Sequence, residues 1–275
     1  MIKIEEYEKK LLDGVKQVLE SGSFKDFIAF TSKFWHYSIG NNLLIWSQYP
    51  DATYVAGIKT WNSLGRKVKK GAKGIKIAVP LKRKRRTEDE GNATEEERDV
   101  LCGFRFRSIF DVTQTEGEPL PELDRLGAVK EICADSGQLF ERLLAASPVP
   151  VTLEVLDKGK NGTYFIMDNR IAVSSSLEAP GRCKTLLHEL AHHFALSTEL
   201  KDTFDIQGRS SHEVVAEGAA YMACSHFGID SSDYSFTYLA VWGNDYKKIW
   251  TLCKAIKSVA TRLVELVINA EDEAA

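Results

Sequence analysis

The sequence has few of the features that mark secreted, membrane-spanning or disulfide-rich proteins. Its five cysteines are widely separated and form no CxxC pair, so neither a disulfide framework nor a thiolate zinc site is expected. No stretch approaches the roughly 18 consecutive apolar residues of a membrane helix. Charges run through the opening segment MIKIEEYEKKLLDGVKQVLE, which is unlike a secretory signal. These absences predict a cytoplasmic protein that does not enter a membrane.

The composition is that of a protein that folds in water. Of the 275 residues, 44% are hydrophobic and 27% are charged, both close to globular averages. A chain of this length can form two domains of common size. The segment 115–125, TEGEPLPELDR, combines two prolines with several acids, which is typical of a linker. We therefore predict one domain over residues 1–118 and a second over residues 126–275.

Hydrophobic periodicity predicts an α+β fold. The first domain is predicted to be a small antiparallel sheet with helices, and the second to carry a helix, a short sheet and further helices. In the first domain we predict helices over 4–20, 24–36, 41–48 and 59–64, and strands over 52–56, 75–79 (ending at Pro80) and 101–112. In the second we predict a helix over 127–146 and strands over 151–156 and 164–173.

Charge is distributed unevenly along the first domain. Between Gly57 and Arg86 the sequence has 12 basic residues and no acidic one, which indicates a surface for a polyanion. A charged insertion, Lys82 to Asp99, begins with a basic run and continues with seven acids. With almost no apolar residue to bury, this insertion is predicted to be a solvated hairpin loop. The pattern assigns it no role.

An HExxH element lies in a segment predicted to be helical. In a helix, His188 and His192 leave the same face, so both imidazoles can bind one ion. Glu189 projects beside them and is placed to act as the general base of a zinc hydrolase. The alternative is an exposed polar stripe on an amphipathic helix, because three fixed residues in five can occur by chance.

A catalytic zinc takes three protein ligands, so one more must come from elsewhere. The next predicted helix offers Glu213 and Glu217, one turn apart. Gly218 and its alanine neighbours indicate close approach to another helix, which would bring the acids to the histidines. The distance of Glu213 from His192 in the sequence resembles the spacing of peptidases with an HExxH helix and a later glutamate ligand, so we favour Glu213 as the ligand. In those peptidases an acid one turn further on orients a ligand histidine, which makes Glu217 either that residue or the alternative ligand. Ser210 and Glu213 also fit a capping box, a purely structural role.

The first domain combines its basic run with many aromatic residues, including Phe30, Phe34, Trp35 and Trp61. Aromatic platforms beside a positive groove bind single-stranded nucleic acid. The alternative is that most of these rings form the core of a small domain. Sequence alone leaves both readings open.

Several motifs resemble the N-terminal domain of ArdC-type antirestriction proteins. They are Tyr37-Ser-x-x-Asn41, Gln48-Tyr-Pro-Asp-Ala-Thr-Tyr-Val-Ala-Gly57, Trp61-Asn-Ser-Leu-Gly-Arg66, Lys70-Gly-x-Lys-Gly-Ile75 and Phe110-Asp-Val-Thr-Gln-Thr115. The second half resembles the zincin-like metallopeptidase domain of the same proteins, which is related to the ImmA/IrrE group. Together the resemblances span nearly the whole chain.

The resemblance implies a single-stranded-DNA-binding domain joined to a zinc-dependent metallopeptidase fold, carried on a mobile element. It implies His188, His192 and an acid of the Glu213/Glu217 pair as Zn²⁺ ligands, and Glu189 as the catalytic base. The residues in the matching motifs that it implies for DNA contact are Tyr37, Asn41, Trp61, Arg66, Lys70 and Lys73. The expected function is antirestriction or assistance in DNA transfer, with a protein or peptide as the possible substrate. Two alternatives remain, a DNA-protecting protein whose zinc domain is structural or binds a partner, and a repressor-cleaving metallopeptidase.

Overall fold

The computed structural model describes residues 2–87, 96–120, 135–197, 200, 204, 208–231 and 245–272. The chain divides into two compact units. The first contains Met1–Val18 and Gly40–Glu118, and the second contains Leu19–Ile39 and Pro119–Ala275. Both units mix helices with sheets, so the predicted α+β class is confirmed.

The first unit carries a small antiparallel sheet with helices. Its helices are α1 (Ile4–Glu20, which extends into the second unit's range), α3 (Ile39–Gln48) and α4 (Ile58–Ser63), and its strands are β1 (Val55–Ala56), β2 (Arg66–Val68), β3 (Ile75–Thr87), β4 (Glu96–Asp111) and β5 (Thr115–Gly117). The strands form a three-stranded sheet in the order β1-β4-β3 and a separate β2-β5 pair. Helix α1 buries Tyr7, Leu11 and Val15, the spacing that predicted it.

Strand β3 does not end at Pro80, as the sequence predicted, but continues to Thr87. The reason is its place at the edge of the sheet, where a missing N–H is tolerated. On that edge, α3 supplies side-chain amides in place of a neighbouring strand. Asn41 accepts from the Ala78 N–H and donates to the Ala78 carbonyl, at 2.8 and 3.0 Å. Gln48 pairs with Lys76 in the same way.

The prediction of a loop over Lys82 to Asp99 is wrong in its outer parts. Residues 82–87 pair with 96–101 as a continuation of β3 and β4, and residues 88–95 lie outside the described part of the chain. The backbone ladder therefore extends through a stretch with little apolar content. A register shift between Leu81 and Lys82 marks where this two-stranded ribbon begins.

The second unit packs helices against a three-stranded sheet. Its helices are α2 (Phe24–Lys33), α5 (Ser136–Ala146), α6 (Ala179–Ala195), α7 (Arg209–Phe227) and α8 (Tyr246–Asp272), and its strands are β6 (Val151–Glu154), β7 (Gly162–Phe165) and β8 (Arg170–Ser174). The order is β6-β8-β7, with β6 parallel and β7 antiparallel to β8. The predicted single strand 164–173 is thus a hairpin. Its turn contains Asn169 at a φ of 47°, a left-handed conformation that asparagine tolerates.

Helix α2 belongs to the second unit, although the sequence prediction placed it in a domain of residues 1–118. Its buried face includes Phe27, Phe30 and Thr31. The Thr31 hydroxyl lies 3.3 Å from the sulfur of Met222 on α7. The apolar face of α2 is therefore part of the second unit's core. The start of the predicted 127–146 helix lies outside the described residues, and α5 begins at Ser136 with Asp135 as its cap.

Gly218 gives close approach to a helix, as predicted, but the neighbour is α8 and not the HExxH helix. An added Cβ at Gly218 would lie 2.7 Å from the Ile256 Cδ1.

No described helix is long and apolar enough to span a membrane.

Candidate functional site

Helix α6 carries the HExxH element and packs on the sheet of the second unit. It buries Leu186, Leu187 and Leu190, so the opposite face carries His188 and His192. Gly162 on β7 makes this packing possible, because an added Cβ would overlap the Thr185 methyl and lie 3.2 Å from the Glu189 Cγ. The close packing of α6, the helix that carries HExxH, therefore leaves no room for a side chain at position 162.

Helix α7 brings Glu213 to the two histidines. The His188 and His192 Nε2 atoms are 3.1 Å apart. The Glu213 carboxylate oxygens lie 3.4 Å from His188 Nε2 and 3.6 Å from His192 Nε2. A tetrahedral zinc with bonds of about 2.0–2.1 Å separates neighbouring donors by about 3.3 Å. The three side chains therefore fit a single divalent ion.

The capping-box alternative for Glu213 is not observed. Gly208 is the N-cap of α7, and no side chain caps this helix end. Glu217, one turn further on, lines the same cleft and contributes its negative charge to His188. Glu213 contacts both histidines.

Electrostatics at the cluster follow from burial and opposite charge. Burial lowers the pKa of His188, but its hydrogen bond with Glu213 and the charges of three nearby glutamates outweigh that effect and raise the pKa. The hydrogen bonds with His188 and His192 hold the pKa of Glu213 far below its usual range, against burial, which raises it. Glu213 is thus an anionic donor over the whole physiological pH range.

Glu189 is 8% exposed, and its burial raises its pKa. The two histidines and a hydrogen bond from the backbone N–H of Tyr164 oppose this shift. A carboxylate with a raised pKa is better suited to accept a proton near neutral pH. Tyr164 also places its hydroxyl 3.1 Å from His193 Nδ1 and donates to the Asn169 Oδ1. Sequence reasoning missed Tyr164, and no motif in the chain would have identified it.

An open cleft of about 1260 Å³ contains the cluster. Residues of helices α6 and α7 line it, together with Gly162, Thr163 and Tyr164 of β7. Within the described residues, β7 is paired only with β8, so no neighbouring strand lies on its other edge. The site is therefore accessible from solvent and bordered by a strand edge.

Three of the six residues predicted to contact DNA make hydrogen bonds within the first unit. Trp61 is 0% exposed and donates its indole N–H to the Phe110 carbonyl, so it is not available to stack on a base. The Asn41 amide is bound to β3, as described above. Arg66 directs its guanidinium to Thr115 and to the Gly117 and Glu118 carbonyls.

The other three predicted contacts are at least partly accessible. Lys70 and Lys73 are exposed on the first unit. Tyr37 is half-buried in the second unit, where its ring lies 4.7 Å from that of His36. Phe30 and Phe34 are core residues, but they belong to the second unit and not to the small first domain that the alternative predicted.

Arg105 and Arg107 were missed by the sequence analysis. Both are exposed on the same face of β4, in a run whose period of two is typical of a strand. They add two positive charges to the exposed Lys67, Lys69, Lys70, Lys73 and Lys76 of the same unit.

Comparison with known proteins agrees with this architecture. Residues 4–112 match a family model described as the N-terminal domain of anti-restriction factor ArdC. These residues are similar to that domain. The family resemblance predicted from the sequence motifs is thereby confirmed, and the further relation to the ImmA/IrrE group stays a prediction.

Solved structures of the antirestriction ArdC protein from the R388 plasmid share the fold over nearly the whole chain. The metal-free crystal structure matches with a TM-score of 0.54 and 20% identity, covering 94% of this chain and 97% of that one. The Mn(II)-bound structure matches with a TM-score of 0.55 and 18% identity, covering 95% and 97%. The similarity in fold to ArdC therefore includes the second half of the chain, which carries the HExxH element.

The uncharacterized protein pXO2-81 from Bacillus anthracis is 23% identical to this chain over 287 residues. The match covers 92% of this chain and 48% of the relative. The chain thus spans about half the length of that protein.

Proposed function

We propose that this ArdC-like protein is a zinc-dependent metallopeptidase-type hydrolase joined to a single-stranded-DNA-binding domain. The observation that carries the metal part is the three-donor cluster in the lining of an open cleft. Structural zinc sites use four protein ligands and are closed, whereas catalytic sites keep one position open. The cluster of His188, His192 and Glu213 supplies three donors. The Mn(II)-bound form of the R388 relative supports a divalent metal here.

Zn²⁺ held by these three side chains would polarise a scissile carbonyl and acidify a water molecule. Glu189 would accept the proton of that water at its carboxylate and later give it to the leaving amine. The Tyr164 N–H holds Glu189 in place. An extended peptide can add to the free edge of β7, which would place its backbone along the cleft.

The ligand assignment is tested by metal analysis of purified protein. Glu213→Gln should reduce bound zinc from one equivalent to a small fraction, because it replaces an anionic donor that contacts both histidines. Glu217→Gln is the matched control, one turn away in the same helix and cleft, and should retain most of the metal. The reverse result would assign Glu217 as the third ligand.

Catalysis is tested separately from metal binding. Zinc-loaded protein is incubated with a defined peptide library, with and without chelator, and products are identified by mass spectrometry. Glu189→Gln should retain zinc and lose about 10²-fold or more of any cleavage rate. Cleavage that survives this substitution would rule out Glu189 as the base. Bound zinc without cleavage would favour the second candidate, a DNA-protecting protein whose zinc domain is structural or binds a partner.

For DNA, the supporting observation is the exposed basic surface of the first unit. Its charges come from Lys70, Lys73, Arg105 and Arg107 with neighbouring lysines, and we propose that it contacts phosphates. Intact protein should be used, since Leu19–Ile39 packs with the second unit. The Arg105→Glu/Arg107→Glu variant should weaken binding of a single-stranded oligonucleotide at least tenfold and flatten its salt dependence. Lys254→Glu, exposed on α8, is the control, and an equal loss there would refute the assignment.

The biological role that fits these parts is antirestriction or protection of DNA during transfer of a mobile element, in the cytoplasm. It rests on the ArdC-type domain and the shared fold. A repressor-cleaving peptidase would use the same site and would be recognised by cleavage of a DNA-associated protein in the peptidase assay.

A further inference from the structure

The metal cleft has a cationic rim that the proposed chemistry does not use. Apart from the ligands and Glu189, the cleft is lined by His212 and by five lysine, arginine, glutamate or aspartate side chains: Lys160, Lys184, Arg209, Glu217 and Asp230. Three of the five are positive. The two acids are Glu217, whose charge acts on the ligand His188, and Asp230.

The positions of two cations follow from helix geometry. Lys184 lies four residues before His188 on α6, and Arg209 lies four residues before Glu213 on α7. Residues four apart on a helix share a face, with Cβ atoms about 5–6 Å apart. Each helix that carries a metal ligand therefore places a positive side chain one turn from that ligand, within the same cleft.

The third cation borders the strand edge. Lys160 stands two residues before β7 and lines the cleft. Its ammonium lies 3.4 Å from the Asp157 carboxylate, but both side chains are largely exposed, so this pair is weak. A peptide added to β7 would pass Lys160 at one end of the strand.

We propose that the cleft selects peptide segments with acidic side chains flanking the bond over the metal, through Lys184, Arg209 and Lys160. This inference rests on the proposed metallopeptidase function and names its substrate class. Each added charge contact at about 6 Å in a water-filled cleft contributes about threefold in affinity, and salt weakens it. A neutral peptide of the same length has no such contribution.

The test measures binding, so it does not depend on turnover. Three peptide hydroxamates of equal length, with acidic, neutral or basic side chains, are titrated by calorimetry into zinc-loaded protein whose metal content has been measured. The acidic hydroxamate should bind about tenfold more tightly than the neutral one, and the basic one more weakly. Equal affinities with zinc bound would overturn the charge selection and leave the metal site standing. Absence of zinc would overturn the proposed function first.

Variants separate the rim from the metal. Arg209→Glu and Lys184→Gln should each lower the preference for the acidic hydroxamate about threefold or more, without changing affinity for the neutral one. Lys247→Glu, exposed on α8 and absent from the cleft lining, should change neither. A single-stranded oligonucleotide is added as a competitor. Displacement of the acidic hydroxamate by the oligonucleotide, but not by an acidic peptide, would show that the rim binds phosphates and refute the proposal.

Discussion

Lys257 offers a quantitative check on the packing of the second unit. This lysine on α8 is 6% exposed and donates to the Phe34 carbonyl at 3.2 Å and the Thr31 carbonyl at 3.5 Å. Burial lowers its pKa from 10.5 to about 7. Two carbonyl dipoles at the end of α2 thus only partly replace the water that a charged amine loses.

The direction of the effect follows from proton binding. Between pH 7 and 10.5 the unfolded chain keeps its lysine protonated, while the folded protein loses that proton. The unfolded state then binds more protons, so the free energy of unfolding rises with pH. The penalty is fully present below pH 7 and disappears as the pH approaches 10.5. With 1.36 kcal/mol for each pKa unit, the gain from pH 7 to pH 9 is about 2 kcal/mol.

The assay compares wild type with Lys257→Met by urea unfolding at pH 7, 8 and 9 at constant ionic strength. The difference in unfolding free energy should shift by about 2 kcal/mol in favour of wild type as the pH rises. His36, which Lys257 influences, has a pKa lowered chiefly by burial and so stays neutral over this range. Lys254→Met, exposed on the same helix, should show no such slope. A difference that stays flat within about 0.5 kcal/mol between pH 7 and 9 would refute a neutralised buried amine.

Three further substitutions test contacts described above. Gly162→Ala should lower the free energy of unfolding by about 1–3 kcal/mol and weaken zinc binding, because the added Cβ displaces α6. Adding Thr185→Ser, which removes the opposing methyl group, should partly restore stability and zinc binding. If it restores neither, the proposed overlap between the Cβ and that methyl group is refuted. Asp111→Asn should cost about 3 kcal/mol in urea unfolding, since the carboxylate accepts from the Thr53, Tyr54 and Thr113 N–H groups; a cost under about 1 kcal/mol would contradict that role. Asn41→Ala should destabilise the first unit yet leave the DNA affinity of the folded protein within about twofold, and a tenfold loss would restore Asn41 as a contact.

Local patterns predicted the parts of the site that local geometry determines. The four-residue spacing of His188 and His192 determines their common face once the segment is helical, and the structure places their Nε2 atoms 3.1 Å apart. The position of Glu213 relative to the histidines depends on how α7 packs on α6. The sequence alone favoured Glu213 over Glu217 without deciding between them. Gly218 shows the limit of such signals: a small residue reports a close neighbour but not which one, and the neighbour is Ile256.

Strand errors have a similar cause. The strand was predicted to end at Pro80 because the sequence does not reveal that β3 is an edge strand. The backbone groups on its outer edge bond to Asn41 and Gln48. The hairpin within 164–173 was missed because apolar residues continue through the turn, where Met167 is 95% exposed. In both places tertiary position decided a question that periodicity left open.

The motif residues in the first half of the chain explain why a residue can belong to a family motif without being placed to contact DNA. Asn41, Trp61, Arg66 and Asp111 each bond to backbone groups, so the stability of the fold requires these side chains. Exposed lysines and arginines carry no such requirement, because a phosphate can be met by a cation from several nearby positions. The motifs therefore identify the architecture, while the DNA affinity that we propose is assigned to Lys70, Lys73 and the arginines of β4. By the same reasoning, the HExxH histidines bond to each other and to Glu213 rather than to backbone, and their convergence is better explained by a metal than by the needs of the fold.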